Sequence, residues 1–338
     1  VIRPEAVGLA LLAGLLLGAD AGAATQVEWV FHRTADGAHP DGLEQAWLWQ
    51  LNRARQDPAA EGARLAALDD PVVQASYDFF ATDRGLLAAE LAALAPTPPA
   101  AFDRRLWSAS RAHAEAMIAA DAPFLPGQLD RLLPAGFAYP SAARADGHAY
   151  GFAVNPVHGH AVWAANWGAG PGGMVPGRPN RAIVLGALTN VGVAVVPDPD
   201  AGDLLGPLVA VASHADANEG FADHHNRFLV GTVWEDLDGD RRYGPGEGIA
   251  GVSVVPETGG FFAVTAAGGG FALPVTSPGT LRVAFSGGGL APRTRLVAVG
   301  AESVLVDVRV PESGATSGTL AAGAALGALA SRRGRRRR

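Results

Sequence analysis

The chain predicts an α+β fold, helix-rich over its first two-thirds and all-β over its last third. Three patterns carry that prediction. Apolar residues recur at helical spacing at Leu43, Trp47, Leu51 and Ala54, and again at Leu106, Ala109, Ala112, His113, Ala116 and Met117. Two strand-like runs, 191–196 and 208–212, lie on either side of a Pro-Asp-Pro-Asp-Ala-Gly turn. Beyond residue 228 the segments 261–265, 270–274, 281–285 and 304–310 alternate apolar and polar residues between Gly and Pro turns, the pattern of a small antiparallel sandwich.

Taken in order, residues 1–24 read as a secretory signal peptide: Arg3, an apolar run over 6–19, then small residues through Ala24 that suit cleavage. Residues 25–41 form an N-terminal extension. The first amphipathic helix opens at about residue 42, breaks at Pro58 and restarts there. An insertion near 66–99 has its own helical pattern over 86–94 and closes on the Pro-rich stretch 95–99, so it reads as a lid or spacer. Asp103 is placed to cap the second long helix. The first domain runs over 42–227, the β domain over 228–310, and the tail over 311–338.

The tail joins a small-residue segment, an apolar run over 319–330 and six arginines in the last seven residues. The formal net charge is −7, so without those six arginines the chain carries −13. Such a body repels nucleic acid and suits divalent cations, and no nucleic-acid partner is expected. Every basic residue is Arg, and cysteine is absent, so export brings no disulfide framework. No Gly-x-Ser-x-Gly elbow occurs, and the glycine runs lack the Gly-Lys-Ser/Thr ending of a phosphate loop.

The clearest chemical signal is one acidic loop. Asp236, Asp238, Asp240 and Glu247 occupy its first, third, fifth and twelfth places, with the backbone carbonyl of Arg242 at the seventh. That spacing wraps oxygen ligands around calcium, and strand-like residues on both sides give the ion a structural role. Arg241 stands at the sixth place, where a loop of this kind favours Gly for its sharp turn.

These stretches resemble three known families. Residues 51–65, with Gln45 before them and the later segments 131–137, 146–151, 180–185 and 191–196, resemble bacterial CAP (SCP-like) domains over roughly 42–227. The resemblance implies a three-layer α-β-α sandwich, here followed by a small all-β sandwich. It also implies a cleft that in many members carries two histidines and two glutamates. This chain departs from that tetrad: Pro126 replaces the first histidine, Asp146 a glutamate and Asn180 the second histidine. Residues 228–310 resemble the B-type (Cna-B, transthyretin-like) domains of bacterial surface adhesins, which serve as stalks. The tail resembles the PEP-CTERM sorting signals of Gram-negative bacteria, with Pro311-Glu312-Ser313 in place of Pro-Glu-Pro. It implies an exosortase-like processing enzyme and anchoring at a membrane.

The sequence thus points to an exported cell-envelope or cell-surface protein with a degenerate, non-catalytic CAP domain. No catalytic residue is assigned. The expected ligand cleft holds Asp146, His148, His158, His160 and Asn180, and a lipid, a glycan or an envelope protein is the expected ligand class. The alternative is a metal-dependent hydrolase whose site has moved onto His148, His158 and His160. Zinc belongs to that alternative alone. Trp47, Trp49, Trp107, Trp163 and Trp167 read mainly as core, with an apolar groove as the other use.

Overall fold

A computed structural model describes residues 25–140, 147–200 and 205–311. The signal peptide, the tail beyond Pro311 and Asp146 lie outside the described residues. The fold is α+β. Strand β1 (Val27–Glu28) leads to four helices, α1 (Gly42–Gln56), α2 (Pro58–Ala66), α3 (Pro71–Phe79) and α4 (Arg84–Ala92). There follow β2 (Ala101–Phe102), α5 (Arg104–Ala120), β3 (Gly147–Ala153), α6 (Pro156–Ala165), α7 (Pro179–Val184), β4 (Asn190–Pro197) and β5 (Leu208–Ala215). The last third holds β6 (Phe228–Asp236), β7 (Val252–Pro256), β8 (Phe261–Val264), β9 (Gly270–Pro274), β10 (Gly279–Gly287), β11 (Leu290–Val299), β12 (Val304–Leu305) and β13 (Val308–Pro311).

Acidic and amide side chains start these helices. Asp41, Asp57, Asp70, Asp83, Asp103 and Asn155 each accept a backbone N–H of the first turn, satisfying donors the helix cannot. Pro58, Pro71 and Pro156 occupy the first helical position, where the missing N–H costs nothing. Asp103 caps α5 as its position before the helix predicts.

The helical lobe is built on a sheet ordered β2-β4-β5-β3, with the β4–β5 hairpin at its centre. Helix α5 covers one face, packing Ala114 and Met117 on Val209 and Val211. It comes so close that a Cβ at Gly192 would stand 2.0 Å from the Trp107 nitrogen, so β4 needs glycine there. The other face packs Val191, Val193 and Val195 against α1 and α6, completing three layers. Helix α6 lies on α1 at Gly159, whose missing side chain leaves room for the Trp47 ring at 1.8 Å from the would-be Cβ.

The insertion is part of this core. Val73 and Tyr77 of α3 and Leu87 and Leu91 of α4 are buried against α1 and α2 residues. It forms a wall of the lobe instead of a separate lid, because its apolar stripe finds α2.

The β lobe is a sandwich of a five-stranded sheet, ordered β1-β8-β7-β10-β11, and a second sheet in which β6 pairs with β9, β12 and β13. The N-terminal extension belongs to it: β1 runs parallel to β8, and Trp29 packs on Phe228 and Ala272. The lobes also share buried contacts. Gln45 Nε2 donates to Thr232 Oγ1 at 2.7 Å, Trp49 Nε1 donates to Asp307 Oδ2 at 3.0 Å, and Ala46, Trp234 and Tyr243 pack together. The β lobe is therefore docked on α1, where a bare stalk would leave this apolar surface in water.

Candidate functional site

A cavity of about 590 Å³ opens beside α6 in the helical lobe. Phe80, Phe124, Phe152, Val162, Trp167, Val175 and Pro179 give it apolar walls, and Ser76, His158, Asn166 and Asn180 supply its polar groups. None of these described lining residues carries an acidic or an arginine side chain. Its size and its few polar groups among aromatic walls are those of a small-molecule site.

Local structure fixes each wall. The cap residue Asn155 starts α6, and 3.6 residues per turn then put His158 and Val162 on one face. Asn166 ends the helix in the left-handed conformation, φ 55°, and its Oδ1 accepts the Asn180 N–H at 2.7 Å, tying α6 to the start of α7. The Trp167 ring stacks on Phe80 at 6.1 Å and on His158 at 5.7 Å between centroids. Helix α3 closes the side with Ser76.

His158 is committed on both ring nitrogens. Nδ1 accepts the Val154 N–H at 3.3 Å, so the proton of the neutral ring sits on Nε2, which faces Ser76 Oγ at 3.1 Å. Burial lowers the His158 pKa, with Asp70 pulling the other way, which keeps the ring neutral. Ser76 Oγ in turn donates to the Val72 carbonyl at 3.0 Å. The chain of donors runs from His158 to Ser76 to the backbone. A serine nucleophile needs the reverse, with the imidazole accepting the hydroxyl proton.

His160, two residues on, leaves α6 about 200° round the helix at 3.6 residues per turn. Its Nε2 meets Glu61 Oε1 at 2.8 Å in the core. Burial alone would raise the Glu61 carboxyl, but His160, Arg64 and Arg53 hold it well below the usual carboxylate range. The sequence placed His158 and His160 together, and the structure sends them to different surroundings. His148 sits on β3 opposite Ser213 in the register, and Asn180 lies in the cavity wall. Among the described residues, the groups of three or more converging metal-ligand side chains are His39/Asp41/Glu44 and Asp236/Asp238/Asp240, and neither includes His158 or His160.

The first of those groups is occupied by the protein itself. Glu44 accepts from Trp107 Nε1 at 2.6 Å and from the Asp41 N–H at 3.0 Å, and holds His39 Nδ1 at 2.7 Å. It is the capping box of α1 extended to a ring. Of the five tryptophans named in the helical lobe, Trp47 and Trp163 are core, Trp49 and Trp107 make the polar contacts above, and Trp167 lines the cavity.

The acidic loop follows β6. Carboxylate oxygens of Asp236, Asp238 and Asp240 lie within 4.8 Å of one another. Arg241 takes the left-handed conformation itself, φ 64°, making the turn at the sixth place without Gly. Asp238 Oδ1 accepts the Asp240 N–H at 3.0 Å and Asp240 Oδ1 the Arg242 N–H at 2.6 Å. Asp236 accepts from Arg309 Nη1 at 3.1 Å. Glu247 turns its carboxylate to the backbone, accepting from Leu237 at 2.9 Å and Gly244 at 2.6 Å, and so closes the loop ends. The three gathered carboxylates are an all-oxygen donor set, which fits a hard cation.

Sequence reasoning missed Ser76, Phe80, Phe124, Phe152 and the Glu61 cluster. Arg64 lies three residues from Glu61 on one helix face, but His160 stands 99 residues away and no local spacing signals it. No protein-family model and no curated protein matches this chain.

Proposed function

We propose that the protein is an exported, envelope-anchored surface protein whose helical lobe is a CAP-like domain turned to ligand binding, joined to a calcium-binding β lobe. The observation that carries the binding reading is the cavity wall itself: among the described residues it is aromatic and aliphatic, without a charged side chain, and with the His158 imidazole engaged on both nitrogens. Such a wall gains affinity from apolar area, at roughly 25 cal/mol per Å² removed from water. Among the described residues, no cluster of metal ligands includes a side chain of this wall. The ligand class that suits it best is an apolar small molecule of the lipid type.

In the β lobe, Asp236, Asp238, Asp240 and the Arg242 carbonyl are the proposed calcium ligands, with Glu247 as the twelfth-place residue. A bound divalent ion would neutralise the clustered carboxylates and cross-link the loop. Zinc has no place in this reading.

The hydrolase alternative would need the Ser76 Oγ–His158 Nε2 contact at 3.1 Å to run the other way, with the hydroxyl donating to the ring. The two readings separate on variants. If the cavity is a binding site, His158→Ala changes ligand retention severalfold and the chain hydrolyses no ester above the buffer rate. Zinc uptake and ester hydrolysis that vanish together in His148→Ala, His158→Ala and His160→Ala would establish the hydrolase instead.

A further inference from the structure

The mouth of the cavity carries an exposed apolar rim. Phe79 is 81 % exposed, Phe124 76 % and Val154 51 %. These are not scattered. Phe79 packs edge-on to Phe80 at 4.9 Å, Phe80 and Phe124 both line the cavity, and the Val154 N–H holds His158. Apolar surface thus continues from the interior wall out into solvent, where single exposed apolar residues would need no explanation but a connected set does.

We propose that this rim is a membrane-docking surface, which seats the cavity mouth on a lipid bilayer of uncharged or zwitterionic headgroups. Area argues against a protein partner. Two Phe side chains and one Val offer a few hundred Å² at most, at about 150–250 Å² for each aromatic, whereas a stable protein interface takes about 800 Å² from each side. A bilayer asks for less, since insertion of a few apolar side chains into the headgroup boundary scales with their buried area. Charge selects the kind of bilayer. Asp78 adjoins Phe79, Asp121 lies three residues before Phe124, and the chain without its terminal arginines carries −13, so anionic headgroups are repelled. The proposal extends the reading of the cavity as an apolar binding site, because a docked mouth would let a lipid pass between bilayer and cavity without crossing water.

The absence of cysteine makes the test direct. The full chain carrying Val154→Cys is labelled with an environment-sensitive fluorophore, and a second protein carries the label at Leu296→Cys, an exposed position on β11 of the β lobe. Both are mixed with phosphatidylcholine vesicles. A tail anchor would hold both proteins at the membrane, so only the position of the label decides. The expected result is a blue-shifted, brighter emission at position 154 and none at 296, lost in the double variant Phe79→Asp/Phe124→Asp. Three results would overturn the proposal: no shift at 154, an equal shift at 296, or a shift at 154 that grows with protein concentration before vesicles are added, which would make the rim a contact between copies of this chain. Adding Val162→Phe, which fills the cavity, leaves rim docking intact, so failure of the cavity reading and failure of the docking proposal are told apart.

Discussion

Within one packed molecule, the loop after β6 sets three carboxylates within 4.8 Å of one another, with Asp238 and Asp240 open to solvent, while the cavity beside α6 is walled by aromatic rings and, among the described residues, carries no charged side chain. The loop can draw affinity only from charge, and the cavity only from apolar area and a few neutral hydrogen bonds. The loop's carboxylates come from one short stretch of chain. The cavity's walls come from α3, the segment after α5, β3, α6 and the start of α7. A charge-built site can be local because Coulomb attraction needs only a few atoms, whereas an area-built site needs several elements to surround its ligand.

Four substitutions break or sharpen that contrast. The largest effect is expected at Glu61, which sits under the helical lobe with Arg53, Arg64 and His160 as partners. Glu61→Ala leaves the Arg53 and Arg64 guanidiniums without their shared counter-ion and His160 without its partner, and should cost about 3–5 kcal/mol of stability in denaturant unfolding. The rise in melting temperature on adding calcium should survive in the variant, since the loop is held by its own backbone.

Next comes the loop. Asp238→Ala should abolish the calcium-dependent gain in stability, which is about 2.7 kcal/mol at a calcium concentration one hundred times the dissociation constant. Thermal melts of both proteins in calcium and in chelator measure it, and retention of an apolar ligand in the cavity should not change. Val162→Phe is the converse. It should weaken binding of a fluorescent fatty alcohol about tenfold, roughly 1.4 kcal/mol, with the calcium response untouched.

The effect at the joint between the lobes depends on pH. Burial pushes the Asp307 carboxyl up to about 6, against the pull of the Thr232 N–H, the Trp49 N–H and Arg53, while its ordinary value is 3.8. The folded state therefore binds this proton more tightly than the unfolded state. The stability it contributes is full below about pH 4 and is lost as the pH rises through about 6. Asp307→Asn should remove that slope, seen as a wild-type-minus-variant difference in urea midpoints that shrinks from pH 4 to pH 7.

The same contrast explains what the sequence revealed. Helix starts were legible because Asp103 and Pro58 act on the next few residues, and the acidic loop because its spacing is its geometry. The docking of the lobes was not legible: Gln45–Thr232 and Trp49–Asp307 join residues 187 and 258 positions apart. His158 and His160 were grouped because they are near in sequence, and a helix separates neighbours two apart. The cavity was visible only as Asn180, His158 and Trp167, since a lone Phe at 80, 124 or 152 carries no local mark of the wall it forms.

The most direct test of the binding reading is native mass spectrometry, run beside denaturing mass spectrometry, on the whole chain and on its Val162→Phe variant purified from an exporting host without added metal. The account predicts an apolar adduct on the wild-type chain that denaturation releases and that Val162→Phe lacks, with calcium on both. A zinc adduct lost on substituting His158, or a wild-type chain with no organic adduct even after exposure to lipid vesicles, would contradict it.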